Sequence, residues 1–427
     1  MAGKVVTRFA PSPTGFMHVG SVRTALYAWL WAKKNNGTFI LRIEDTDKDR
    51  EVEGSAEHIS ESLRWLGLTP DQGPIFQSKR LDVYKKYADG LREAGHAYPD
   101  GEALRFKIPV KKRYHWHDQV YGDLTAGEEA LEDFIILKSD GYPTYNFAHI
   151  VDDIEMGVTH VMRGEEFISS TPKYLSLYEA LGTTPPFFVT LPLILGPSGQ
   201  KKLSKRDGAK DLLDYRDEGY LPDAFINFLA LLGWNPGTEQ EIFSREELKQ
   251  AFDISRIQKS GAQISQEKLD WINKEHMKKL PSGEVRDNIL IRLPPELQNE
   301  KLIPIIFERI SKWGDTAGML GAGELDFFLR RPEVDKKKLA YKNTPSERIE
   351  KNLKLAAEAL KNISENNFTR DSVKNALDLI SANLETRGEL LHPVRYALTG
   401  RSSSPDPFII SEVLGKNETI ARLESAI

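Results

Sequence analysis

The chain of 427 residues contains no cysteine. That absence excludes disulfides, a thiolate nucleophile and cysteine-ligated zinc or iron–sulfur centres, so any metal must be held by oxygen or histidine. No apolar run approaches the roughly 18–20 residues of a membrane span. The opening stretch MAGKVVTRFAPSP lacks the apolar core of a secretory leader, so a cytoplasmic protein with no membrane attachment is expected. A large net charge is missing as well: 58 Lys and Arg against 63 Asp and Glu leave a formal net charge of −5. This argues against bulk adhesion to nucleic acid but allows a local basic face, as in RRPEVDKKK at 330–338. There is no G-x-S-x-G turn and no H-E-x-x-H helix, and the pair His115 and His117 has no matching partners. What remains is an ordinary globular composition, in a chain long enough for two to four domains.

Val5 and Val6 begin a short strand that Pro11 and Pro13 prevent from extending past Phe9. Val22, Ala25, Leu26, Trp29 and Leu30 then fall on one face of a helix, with Ser21 as its expected cap and Gly37 as its stop. TFILRIE (38–44) reads as a second strand, and Ala56, Ile59, Leu63 and Leu66 as the face of a second helix. This alternation opens a doubly wound parallel sheet, whose ligands sit beyond the carboxyl ends of its strands. Residues 81–143 break the rhythm and read as an insertion between two halves of the sheet. Residues 143–166 resume strand-like apolar runs, and 191–210 form a strand leading into a loop rich in glycine and lysine. Beyond about residue 211 helices dominate.

His18 and Gly20 fall where the first helix begins, a place suited to a phosphate chain because backbone N–H groups and the positive helix end converge there. Taken alone, His-x-Gly is better explained as a rigid turn with an incidental histidine. Glu44, Asp45 and Asp47 form an acidic run at the end of the second strand, where one carboxylate suits an ammonium group and a solvated turn is the commoner case. Arg8 and Arg163 both stand at strand ends. Two arginines and one carboxylate in one crevice match a dicarboxylic amino acid, since guanidinium forks pair with carboxylates. KKLSKRDG (201–208) is a basic loop suited to neutralising phosphoryl charge.

In order, TRFAPSPTGFMHVGS, LRIEDTD, YPTYNFAHIVDD, THVMRGEE and KLSKR closely resemble the glutamyl-tRNA synthetases, class I enzymes. HVGS (18–21) stands for the family's HIGH signature, with Ser21 in place of its second histidine, and KLSKR (202–206) for KMSKS. The likeness continues through YRDEGYLPDAFINFLALLGWNP (215–236), KLDWINKEHM (268–277) and LHPVRYALTG (391–400). The resemblance implies ATP-dependent ligation of glutamate to tRNA-Glu, through glutamyl-adenylate, with magnesium accompanying the nucleotide. It assigns His18, Lys202 and Lys205 to catalysis, and His18, Gly20, Ser21, Lys202, Ser204 and Lys205 to ATP. Arg8, Ser12, Glu44, Tyr145 and Arg163 go to glutamate, with Arg8 taken for the side-chain carboxylate. The cysteine-rich zinc element that many bacterial relatives carry after the position of AYPD (97–100) is missing, so no zinc is expected.

On this basis the fold is an α/β Rossmann-like parallel sheet followed by a helical anticodon-binding region. Residues 1–80 and 144–210 are expected to form the catalytic halves, 81–143 the acceptor-end insertion, 211–280 a stem-contact helical domain and 281–427 the anticodon-binding domain, in a monomer. Arg330, Arg331, Lys336, Lys337 and Lys338 are candidate phosphate contacts there, and equally a solvated helix end. Two alternatives stand beside the main reading: a non-discriminating form that also charges tRNA-Gln, and a paralogue that binds tRNA without ligating it.

Overall fold

The computed structural model describes residues 4–203 and 210–427. Its residues divide into two compact units, 1–276 and 277–427.

The first unit begins with β1 (Val6–Phe9), α1 (Val19–Lys34), β2 (Thr38–Ile43), α2 (Ser55–Trp65), β3 (Gln72–Phe76) and α3 (Leu81–Glu93). Short strands follow: β4 (Ala97–Asp100), β5 (Ala103–Phe106), β6 (Tyr114–Asp118), β7 (Gly122–Ala126) and β8 (Phe134–Leu137). Then come α4 (Tyr145–Glu155), β9 (His160–Gly164), α5 (Thr171–Ala180), β10 (Phe187–Leu191) and β11 (Ile194–Leu195). The unit closes with α6 (Leu212–Asp217), α7 (Pro222–Leu231), α8 (Arg245–Ala251), β12 (Ala262–Gln263) and α9 (Gln266–Met277).

The main sheet runs β3-β2-β1-β9-β10-β6-β7. All neighbouring pairs are parallel except β6 with β7. β2 is buried at every residue, as a central parallel strand covered on both faces must be. From β1 the chain winds outward to β2 and β3, then returns to lay β9 and β10 on the other side of β1. The β1/β9 boundary is therefore the switch point at which a crevice opens beyond the strand ends.

The insertion is not a detached body. β4, β5 and β8 form a small sheet of their own, but β6 and β7 extend the edge of the main sheet through Phe188 opposite Asp118. The Asp118 carboxylate fixes this junction by accepting from Thr190 Oγ1 at 2.6 Å and from the Val120 amide at 2.9 Å. Residues 145–155 form a helix, not the strand-like run read from sequence. Phe147, Ala148, Ile150 and Val151 are wholly buried, and the polar residues at helical spacing, His149, Asp152 and Asp153, are buried as well, so the polar stripe is not a solvent face.

Two sequence expectations about α1 also need correction. Its N-cap is His18, not Ser21, and the left-handed residue after it is Asn36 at φ 49°, not Gly37. Gly37 is needed for a different reason: a Cβ there would stand 2.2 Å from the Val5 carbonyl oxygen. The core of this unit joins α1, α2 and the sheet to α7 and α8, while α3, α4 and α5 enclose a second apolar cluster.

Among its described residues, the second unit holds helices and no strand. One apolar cluster unites its helices from Ser346 to Ser425. Asp406 caps the helix Pro407–Leu414 by accepting from the Phe408 and Ile409 amides, with Pro407 at the first position, where no N–H is missed. Arg422 is buried, donating to the Phe327 and Leu398 carbonyls at 2.7 Å each and to Glu418 at 2.8 Å. Of the basic residues singled out above, Arg330 pairs with Asp326 and Arg331 with Glu418.

Candidate active site

The loop from Ala10 to His18 leaves β1 at the switch point, and backbone pairing fixes it from outside. The Glu44 amide donates to the Pro11 carbonyl at 3.0 Å, the Val52 amide to Pro13 at 2.9 Å, and Ser55 Oγ to Gly15 at 2.7 Å. At the loop's end His18 Nδ1 accepts from the Gly20 and Ser21 amides at 3.2 and 3.4 Å, satisfying N–H groups that the first turn leaves without helical partners. The opposite nitrogen, Nε2, lies 3.4 Å from Ser21 Oγ. A Cβ on Gly20 would meet the ring at 3.1 Å, so glycine keeps the imidazole seated on the helix end. The side chains and the backbone of this turn thus present one surface to the cleft.

Beneath the loop lies a buried charge network. Arg8 from β1 offers Nε to Asp153 Oδ1 at 3.1 Å and Nη2 to Oδ2 at 3.4 Å. Arg42 from β2, with no exposed surface, sends Nη1 to the same Asp153 Oδ1 at 2.8 Å and Nη2 to Glu44 Oε1 at 3.2 Å. Its Nε makes no hydrogen bond and faces Asp152 at 3.7 Å. Asp152 in turn accepts from Arg80, Tyr84 and Gln77, each at 2.8 Å. Burial alone would raise the Asp153 pKa, but Arg8 and Arg42 overcome it and hold the carboxyl down at about 2. Glu44 goes the other way: burial outweighs Arg42 and Arg8 and carries it up to about 7.

Arg163, at the end of β9, has a different environment. It is buried, and among the described residues no carboxylate lies within ion-pair distance. Its guanidinium sits over Tyr174 at 4.6 Å, Phe188 at 5.2 Å and Phe167 at 5.5 Å, with Thr171 Oγ1 at 3.4 Å. Burial pushes its pKa down, and the aromatic faces supply only part of the missing counter-charge. Tyr145, at the start of α4, stacks on His149 at 4.9 Å. His149 Nδ1 is 2.7 Å from the Tyr145 carbonyl oxygen and burial lowers its pKa to about 3, so the ring is neutral and donates there.

Arg8, Ser12, His18, Gly20, Ser21, Glu44, Tyr145, Arg163 and Lys202 all line one cleft of about 760 Å³. Leu191, at the end of β10, and Leu193 and Ile194 after it also line the cleft. Lys202 is largely exposed and lies 3.5 Å from Glu166. Ser204 and Lys205 fall outside the described residues. Sequence reading passed over Arg42, Asp153 and His149. The signal for the acid was present, since paired aspartates inside the apolar run AHIVDDIE need buried partners.

A switch-point cleft at a His-x-Gly helix start, followed by a helical unit, defines the architecture of the class I tRNA synthetases. The model of the family tRNA synthetases class I (E and Q), catalytic domain, matches residues 4–103 and 99–271, and that of an anticodon binding domain matches 265–427. The chain is 38% identical to a glutamate–tRNA ligase of Thermodesulfovibrio yellowstonii, over 99% of each chain. It is 39% identical to one of Clostridium kluyveri, over 99% of this chain and 98% of that one. The crystal structure of glutamate-tRNA synthetase from Elizabethkingia anophelis superposes with a TM-score of 0.86 at 33% identity, covering the whole of both chains. One from Elizabethkingia meningosepticum, in complex with its amino acid, has the same TM-score at 32% identity and 99% coverage of both. The chain belongs to the glutamate–tRNA ligase family, and it is a ligase of that class. Among the described residues no helix is long and apolar enough to cross a membrane.

Proposed function

We propose that the switch-point cleft activates glutamate with ATP and passes the glutamyl group to the terminal ribose of tRNA-Glu. The observation that carries this reading is Arg163, a buried cation without an acidic partner among the described residues, in a cleft that also holds Glu44 and opens at the His18 turn. Arg163 and Arg8 receive the two carboxylates of the amino acid, and Glu44, once ionised, receives its ammonium group. Ser12 and Tyr145 complete the walls.

The triphosphate lies at the positive end of α1 beside His18 Nε2, with adenine toward Gly20 and the residues that follow β10. Lys202 and, from the sequence motif, Ser204 and Lys205 meet phosphate charge. Magnesium bound to the phosphate oxygens supplies further charge neutralisation, and magnesium commonly keeps this substrate-borne mode of binding. An α-carboxylate oxygen of glutamate attacks the α-phosphorus, the bond to the bridging oxygen breaks, and pyrophosphate departs. The ribose hydroxyl of the tRNA end then attacks the activated carbonyl and AMP leaves. The chain contributes positioning and electrostatic stabilisation, with no covalent intermediate on a side chain.

We place the enzyme in the cytoplasm as a monomer, with tRNA-Glu as its partner. Single-turnover adenylate formation tests the assignment: Lys205→Ala and His18→Ala each slow it on the order of a hundredfold or more while the fold persists. Unchanged rates in both remove the turn and the basic loop from the mechanism.

A further inference from the structure

The charges around the cleft do not cancel. Among the described residues, Arg8, Arg42 and Arg80 pair with Glu44, Asp152 and Asp153, while Arg163 lines the same cleft with no carboxylate at ion-pair distance. This network sets four guanidinium groups against three carboxylates, so one positive charge is left over once Glu44 is ionised. The other charged residues described in the cleft wall, Arg23, Lys202 and Lys210 against Glu166, Asp211 and Asp214, balance. The neighbouring His149 is neutral and does not alter the balance. Free glutamate carries two carboxylates and one ammonium group and has a surplus negative charge; glutamine, of nearly the same shape, has none. The match is one to one.

Arg42 and Asp152 do not themselves line the cleft, yet they enter this balance directly. Arg42 holds Glu44 with one Nη and Asp153 with the other, and Asp152 faces its Nε. We propose that Arg42 and Asp152 are specificity-determining positioning residues, which fix the surplus at one positive charge and so make the cleft prefer an amino acid of net charge −1 over its neutral amide. The inference rests on glutamate binding in this cleft. Its physical basis is that charges buried this deeply are weakly screened, so a unit change a few ångströms behind the wall is felt by the ligand. Because Arg42 reaches the ligand only through Glu44 and Asp153, its loss also relaxes their positions. A test must therefore separate charge from geometry.

The measurement is the ratio of the Ki of glutamine, as competitor, to the KM of glutamate in tRNA charging. It is made on the full-length wild type, Arg42→Gln, the double variant Arg42→Gln/Asp152→Asn, and Arg163→Gln. The single variant removes one positive charge, and the ratio falls on the order of tenfold to a hundredfold. The double variant loses more hydrogen bonds yet restores the surplus, so its ratio recovers toward wild type even if kcat does not. An unchanged ratio in the single variant, or a double variant no better than the single, overturns the proposal. If Arg42→Gln does not fold, Arg80→Gln takes its place, since the Arg80 side chain is 24% exposed and the substitution is tolerated more easily. It shifts the ratio in the same direction by less, and Arg80→Gln/Asp152→Asn reverses the shift; failure of either result overturns the proposal equally. Arg163→Gln separates the two readings. If it leaves the ratio intact, the cleft assignment itself fails. If it collapses the ratio while the Arg42 and Arg80 variants do not, only the present inference fails.

Discussion

His18 Nδ1 lies 3.2 Å from the amide nitrogen of Gly20, so one ring both caps α1 and presents its other nitrogen at the cleft. The two roles separate by substitution. His18→Asn keeps a side-chain oxygen able to cap the helix, and its thermal stability stays near wild type, whereas His18→Ala loses about 1 kcal/mol. Both lose adenylate formation by a similar factor. Denaturant unfolding and single-turnover kinetics on the two variants check this, and a His18→Asn protein with full activity contradicts it.

Gly20→Ala tests the close approach from the other side. Its Cβ would stand 3.1 Å from the His18 ring, which must swing away or tilt. The expected result is a KM for ATP raised by about tenfold or more, with little change in the KM for glutamate, because the ring displaced faces the nucleotide end. Equal effects on both substrates would count against the separation of the two ends of the cleft.

The pH dependence of glutamate use follows from Glu44. Burial raises its pKa to about 7, so in the free enzyme the carboxyl is half protonated near neutrality and unable to pair fully with an ammonium group. As pH rises through about 7, Glu44 ionises and kcat/KM for glutamate increases to a plateau. Bound ammonium stabilises the carboxylate, so kcat itself shows this limb at lower pH. In Glu44→Gln the limb disappears along with most activity.

His149 makes an opposite kind of pH statement, about stability. Its folded pKa of about 3 lies below the ordinary value of 6.5, so the neutral ring contributes stability that is fully present above 6.5 and is lost as pH falls toward 3. At pH 5 the loss is about 2 kcal/mol. Urea unfolding of the first unit between pH 7 and 5 reads it, and His149→Asn flattens that part of the profile. A wild-type profile already flat across this range contradicts the assignment.

How much of this was legible beforehand differs by residue. The strand–helix–strand opening was readable because β1 and α1 have clean boundaries: prolines at 11 and 13, then an unmixed apolar face from Val22 to Leu30. The helix α4 was not, because its polar residues His149, Asp152 and Asp153 are themselves buried, so the stripe that would mark the solvent face of a surface helix lies inside. Arg8, Glu44 and Arg163 stood out as charges at strand ends. Arg42 did not, since in TFILRI it resembles the outward residue of an ordinary strand, whereas its side chain is wholly buried. Nothing local in a sequence says that a strand will be covered on both faces; the crossovers on either side decide that. Likewise Ser21 looked the better cap by composition, and the ring of His18 took the role because its Nδ1 reaches two amides at once.

The most direct test of the central claim is charging of tRNA-Glu and tRNA-Gln transcripts with glutamate and ATP by the wild type and by Arg163→Gln. The account predicts glutamyl-tRNA-Glu from the wild type and a loss of at least a hundredfold in kcat/KM for glutamate in the variant; glutamylation of tRNA-Gln in parallel would identify the non-discriminating form. Undiminished charging by Arg163→Gln, or no charging of either tRNA by the folded wild type, would contradict it.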